Sequence, residues 1–310
     1  MDPAPLPDVS AGVNLPQLER SLRQPRLVFS AFMSLLTGAA TIAAMFPLFS
    51  VLYMLIRLGG ANLNWATLTQ LPPAAMMPGG GIGNAIIGTI VIVVIATLLS
   101  VPIGILTAVY IAEFGPDTTI ANFVRFAAKV LTGLPSILAG VFAFAAVVML
   151  TDGFSAPAGA IALALLMLPT IILTAEDAIT RVPNRMREAA VGMGATPSQV
   201  VTRILLPTAL PGILTGIMLA IARAAGETAP LLFTSMFSEY WMSHSSPYFI
   251  PKTIGDLMKP TASLAVLIYN YSGSPFENQI QLAWTAALVL VGIVLVANLA
   301  GQALARRYNR

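Results

Sequence analysis

Residues 188–207 read EAAVGMGATPSQVVTRILLP, a polar island flanked by Arg185 and Arg187 and set between long apolar runs. The spacing is Glu188-Ala189-Ala190, three residues, Gly194, nine residues, then Ile204-x-Leu206-Pro207. Arg187 to Met193 carries good helix formers, and Gly194 is a natural C-terminal stop. Thr196-Pro197 joins an N-cap residue to proline at the first helical position. Ser198 to Leu206 continues with apolar Val200, Val201, Ile204 and Leu205. Two short helices bent at Gly194 are predicted, with Ala189 and Ala190 offering a small, close-packing face. In a membrane protein, such a segment kept on one side of the bilayer is offered to a soluble partner.

Composition supplies the membrane. Of 310 residues, 57% are hydrophobic and 9% charged, whereas a soluble domain carries roughly 25% charged residues. So few charges cannot cover a water-facing surface of this size, which implies an all-α polytopic membrane protein. The chain has no cysteine, which excludes disulfides, thiol nucleophiles and cysteine metal sites. Its one histidine, His244, excludes a multi-histidine metal centre. No Ser/His/Asp set or paired catalytic carboxylates stands out, so neither a catalytic nor a metal site is expected. The net charge of +3 is spread by position and forms no basic soluble face for nucleic acid.

A spanning helix needs roughly 20 apolar residues. Six segments qualify, at about 28–56, 85–111, 126–150, 158–175, 210–233 and 282–304. Pro47, Pro102, Pro135 and Pro169 lie inside them and read as kinks rather than ends, because neighbouring helices can satisfy the freed carbonyls. With the N-terminus inside, twelve Lys/Arg fall on the cytoplasmic side and three (Arg57, Lys252, Lys259) outside, while Arg223 stays within the membrane. That asymmetry puts both termini and the island in the cytoplasm. Residues 1–27 read as a disordered cytoplasmic tail and 28–310 as the transmembrane domain. Within it lie an inner loop at 176–209 and outer loops at 57–84 and 234–281. The apolar piece 261–268 is too short to span and reads as re-entrant or interfacial.

Glu188, Ala189, Ala190, Gly194, Ile204, Leu206 and Pro207 stand at the spacing of the EAA loop, and in this the chain resembles the permeases of ABC importers. The resemblance implies the type I importer permease fold with six transmembrane helices. It also implies a coupling helix that docks on a cytoplasmic ATPase. The chain has no phosphate-binding loop of its own: the nearest approach, GNAIIGT at Gly83–Thr89, lacks the lysine. ATP and magnesium therefore belong to the partner ATPase, and this chain binds no cofactor.

The fifth crossing contains ARAAGETAPLLF at 222–233, which places Arg223 and Glu227 four apart on one helix face. Arg223 lies about 22 Å along the helix from its inner end, past the bilayer midplane. A charge there costs at least ~2.5–3.5 kcal/mol, which pairing or a wet cavity reduces. Gly212, Gly216, Ala220 and Ala224 form a stripe of small residues beside the pair that admits another helix. Two readings stand. Arg223 meets an anion through paired donors, with Glu227 orienting it or accepting a hydrogen bond from a proton on the anion. Otherwise the pair only fixes helix packing. Ser136, after Pro135, presents a hydroxyl where a kink frees backbone groups, or is satisfied by its own helix. Glu176, Asp177 and Arg181 read as local salt bridging at the inner end of the fourth crossing.

The segments at 223–232, 132–144 and 263–272 resemble the phosphate-specific transport permeases, most closely the A-type (PstA) subunit. The resemblance spans roughly residues 85–305 and implies a role in phosphate passage for Arg223 and Glu227; Thr228, beside them, and Ser136 complete the expected substrate pathway. It implies a multi-pass protein of the bacterial inner membrane. The expected partners are a second, PstC-like permease, a PstB-like ATPase dimer and an extracytoplasmic PstS-like phosphate-binding protein. The alternatives are a C-type permease or one for another oxyanion and, from other classes, an ion-coupled secondary transporter or a membrane scaffold. The former would transport without nucleotide; the latter would carry nothing.

Overall fold

The computed structural model describes residues 25–74, 76–77, 79–242, 251 and 253–308. His244, Lys252 and the expected tail up to residue 24 lie outside the described residues. Residues 25–27, expected in that tail, instead open a helix, with Pro25 at its start where a missing N–H is harmless.

The chain divides into two units, Met1–Tyr53 and Met54–Arg310. The described part of the first is residues 25–53 of α1 (Pro25–Met54), an apolar helix that holds Pro47 in its interior. The second unit opens with a π-helical turn, Leu55–Gly59, and a short α2 (Trp65–Thr69) capped by Asn64. Next come α3 (Gly83–Val109), closed by a π-turn at Tyr110–Phe114, and α4 (Thr119–Gly133). They are followed by α5 (Ser136–Ala143), a π-turn at Phe144–Val148 and α6 (Met149–Thr151). α7 (Ala156–Thr180) leads to the inner segment α8 (Asn184–Gly192) and α9 (Pro197–Val200). A π-turn at Val201–Leu205 feeds α10 (Leu206–Ala225), and α11 (Ala229–Thr234) follows. The outer segment carries α12 (Ile254–Leu257) and α13 (Leu264–Ser272), and α14 (Glu277–Tyr308) is the last described helix.

Five stretches among the described residues are long and apolar enough to cross a membrane, or six if α4 and the α5–α6 segment form one broken span. α7, expected over 158–175, runs from Ala156 to Thr180 and is the most enclosed of them. It buries Ala156, Ala158, Ala160, Ala162 and Ala164, and helices with such small side chains let neighbours approach closely. α3, α10, α4, α5 and α11 all pack on it. In α10, Gly212 and Gly216 abut Ala178 and Thr174 of α7, so this part of the small-residue stripe is filled within the chain itself. A second, smaller core joins Ile82, just before α3, and Ala85 of α3 to Leu264, Leu267 and Tyr271 of α13 and Leu282 and Ala286 of α14. The apolar piece 261–268 therefore leads into a helix packed inside the protein. Thr89 Oγ1 accepts the Leu264 N–H at 2.8 Å and fastens its start to α3.

Two expectations need correction. Pro47, Pro102 and Pro169 do sit inside helices, but Pro135 ends one. Leu134 before it is extended (φ −73°, ψ 142°), as proline's ring requires of its predecessor. α4 and the segment after it meet at 105°. The expected fifth crossing, 210–233, also breaks, at Gly226–Thr228. Gly226 is a weak helix former, and Pro230 cannot donate to the ladder and so restarts the helix at its first turn instead.

Candidate functional site

The inner island folds as two short helices about a glycine turn. Pro183 starts α8, and Gly194 reverses the chain at φ +85°, a conformation that costs side-chain-bearing residues roughly 1–2 kcal/mol. The Gly194 and Ala195 N–H groups bond back to the carbonyls of Val191 and Ala190, at 2.9 and 3.0 Å. Thr196 caps α9, and Gln199 returns the bond to the Thr196 N–H, a capping box that satisfies two orphan donors at once.

The alanine pair is split between two environments. Ala190 is 1% exposed and packs in the main core, whereas Glu188 and Ala189 face out. Ala190 therefore anchors α8, and the two alanines do not share the one close-packing face expected for them. Met186, Val191 and Met193 are exposed on the same helix, Met193 at 82%. The sequence pattern missed these three because only apolarity on a polar island marks them. Gly194 is exposed, Ile204 and Leu206 pack against the core from α9 into α10, and Pro207 is exposed at the first turn of α10.

Arg223 lies in the last turn of α10, and Glu227 lies beyond its end. The shared continuous face expected for them does not exist, yet the chain break still brings them together. Arg223 Nε donates to Glu227 Oε1 at 3.4 Å. Their side chains are 43% and 18% exposed. Among the described residues the guanidinium has no other partner, so its remaining N–H groups are open. Thr228 follows in the break, half-buried, and its carbonyl accepts the N–H groups of Leu231 and Leu232 at 3.1 Å each.

Ser136 occupies the other break. It is the first residue of α5, half-buried, and its hydroxyl has no partner among the described residues. A serine at this position has no preceding helical turn to bond. One turn later, α5 meets α11 at Gly140 and Pro230. The two breaks are thus held by helices in direct contact.

Elsewhere, Arg181 pairs with Asp177 at 2.9 Å on an exposed face, but Glu176 is taken by Arg125 of α4 at 2.5 Å. On the outer side, Tyr271 Oη donates to Glu239 Oε1 at 3.4 Å and stacks edge-on against Phe237. Burial, and then the neighbouring Glu239 carboxylate, push the Tyr271 phenol well above its usual range. Among the described residues no group of three or more His, Asp or Glu could hold a metal ion.

Residues 100–310 match the family described as binding-protein-dependent transport system inner membrane component. The phosphate transport system permease protein PstA of Yersinia pestis is 38% identical over 264 residues, covering 85% of this chain and 85% of its own. That of Pasteurella multocida is 36% identical over 282 residues, covering 90% and 93%. PstA 1 of Mycobacterium tuberculosis strain H37Rv is 35% identical over 264 residues, covering 84% and 82%. Among solved structures, an inward-facing MetNI methionine ABC transporter matches with a TM-score of 0.54 at 20% identity. That match covers 74% of this chain and 95% of that one, and it speaks to the fold alone. The chain belongs to the binding-protein-dependent transport system inner membrane component family, as a multi-pass, non-catalytic permease of the PstA type in the plasma membrane.

Proposed function

We propose that this chain forms half of the translocation pathway of an ATP-driven phosphate importer. Residues 28–310 make the permease domain, residues 176–209 its coupling loop, and residues 57–84 and 234–281 its outer loops. A second, PstC-like permease completes the pathway. A PstB-like ATPase dimer, which binds ATP and magnesium, grips α8, and a PstS-like phosphate-binding protein docks outside. Glu188, Ala189 and Gly194 serve the ATPase contact, with Met186, Val191 and Met193 around them. Ala190, Ile204 and Leu206 hold the loop to the bundle, and Pro207 starts the helix that follows it.

The observation that carries the cargo site is the open guanidinium of Arg223 at a helix break. Its single long bond to Glu227 leaves donors free on a surface that a second permease would enclose. Such donors match the oxygens of a phosphate. Thr228 and Ser136, in the two breaks, add hydroxyls near the same helix contact. Glu227 accepts a hydrogen bond from the P–OH of hydrogen phosphate, a donor that sulfate lacks near neutral pH. A pair kept only for packing would be better buried and better bonded.

The test is ATP-dependent uptake of radiolabelled phosphate and sulfate by liposomes holding the co-expressed complex. Wild type takes up phosphate in preference to sulfate. Arg223→Gln loses uptake while the complex still assembles. Normal uptake by that variant would sink the anion-site reading, and failed assembly would favour the packing role.

A further inference from the structure

Arg187 stands one residue before Glu188, and its side chain is only 18% exposed. Nε donates to Glu113 Oε2 at 3.1 Å. Nη1 donates to the Val182 carbonyl at 2.9 Å and to Asn184 Oδ1 at 2.7 Å. Nη2 donates to the Ile179 carbonyl at 3.1 Å. Glu113 belongs to the π-turn that closes α3, and Ile179 to the last turn of α7. One side chain therefore joins α8 to the inner ends of α3 and α7. The last carbonyls of a helix lack intrahelical partners and form the negative end of its dipole, so a cationic fork suits the end of α7.

Arg125 of α4 grips the same two helices from another side. Its Nη2 donates to the Ile111 carbonyl at 2.8 Å, in the π-turn that also holds Glu113, and its Nε to Glu176 of α7. α4 then runs to the Pro135 break, beyond which α5 packs on α11. The backbone link from α7 to α8 is only Arg181–Pro183. On that link alone α8 could pivot without moving the crossings.

We propose that Arg187 and Glu113, relayed by Arg125, are the positioning residues that turn a displacement of α8 into movement of α4 and of the broken helices beyond it. This rests on the reading of α8 as the ATPase-docking helix. The fork is essential: lysine keeps the charge but cannot reach a carboxylate and two carbonyls together. An isolated exposed pair would contribute little. Here four bonds from a half-buried group fix one geometry.

The test uses the complete transporter in liposomes, carrying Arg187→Lys, Arg187→Ala or Glu113→Ala. ATP hydrolysis and phosphate uptake are read from the same preparation, with co-purification as the assembly control. Assembly and hydrolysis are expected to persist while phosphate moved per ATP falls at least about fivefold, the low end of measured site-to-site coupling. An unchanged ratio in all three overturns the proposal. A second readout does not depend on cargo or on flux. The chain has no cysteine, so Ile120→Cys on α4 and Arg185→Cys on α8, both exposed, supply its only thiols for spin labelling, in a complex whose partner chains are also free of reactive cysteine. With a trapped ATP analogue, the distance distribution should stay narrow in the otherwise wild-type transporter and broaden in Arg187→Ala and Glu113→Ala. Equal widths overturn the clamp. If the wild-type transporter moves no phosphate, the functional reading fails, while the label distances still decide the clamp.

Discussion

Gly140 of α5 lies so close to Pro230 of α11 that a Cβ on the glycine would stand 2.7 Å from the proline Cα. Each helix begins just after a chain break, α5 at Pro135 and α11 after Gly226–Thr228. The contact therefore locks two discontinuities together, and it exists only because residue 140 has no side chain. Gly140→Val should destabilise the protein by about 1–3 kcal/mol through overpacking. A lowered thermal unfolding midpoint of the detergent-purified complex would show this, and an unchanged midpoint would refute the contact.

Ala189 and Ala190 should respond oppositely to enlargement. Ala190→Leu forces a larger side chain into the core and should cost about 1–3 kcal/mol of stability. Ala189→Leu changes an exposed site, so stability should stay within about 0.5 kcal/mol, while recovery of the ATPase or coupling of hydrolysis to uptake drops. Thermal unfolding and co-purification, measured side by side, separate the two. Equal effects at both positions would count against the docking face.

Glu227→Gln should leave the chain folded, because an amide oxygen can still accept from Arg223. It removes the charge that repels fully ionised sulfate, and it adds donors that sulfate can use. The preference for phosphate over sulfate should narrow by at least about tenfold, the value of a charged hydrogen bond. Competition of unlabelled sulfate against labelled phosphate uptake measures this. An unaltered preference would remove Glu227 from substrate selection.

Tyr271 should stay protonated through the pH range in which exposed tyrosines ionise. Its phenol is raised in the folded state by burial and by Glu239, against about 10 in an unfolded chain. Above that value the unfolded state binds fewer protons than the folded one, so stability falls as pH rises. The contribution is complete below about pH 10 and is lost progressively above it. Tyr271→Phe should flatten the decline in unfolding midpoint between neutral and strongly alkaline pH. Identical pH profiles for the two proteins would contradict the assignment.

The sequence by itself determined the membrane class, the approximate positions of the apolar helices, and the turn chemistry of the inner island. These depend on composition and local backbone preference, both of which are written in neighbouring residues. Gly194 and Thr196-Pro197 were legible because φ above zero and a helix start each favour particular residue types. Arg223 and Glu227 were legible as a pair because charge inside an apolar run is costly. Tertiary structure alone decided that the third and fifth crossings break rather than kink. Proline permits both outcomes, and packing partners such as Gly140 and Pro230 select between them. It alone decided that Ala190 faces inward while Ala189 faces out. It also recruited Arg187 and Arg125 to the ends of α3 and α7, since a guanidinium's partners lie up to 74 residues away in the chain and no local pattern records them.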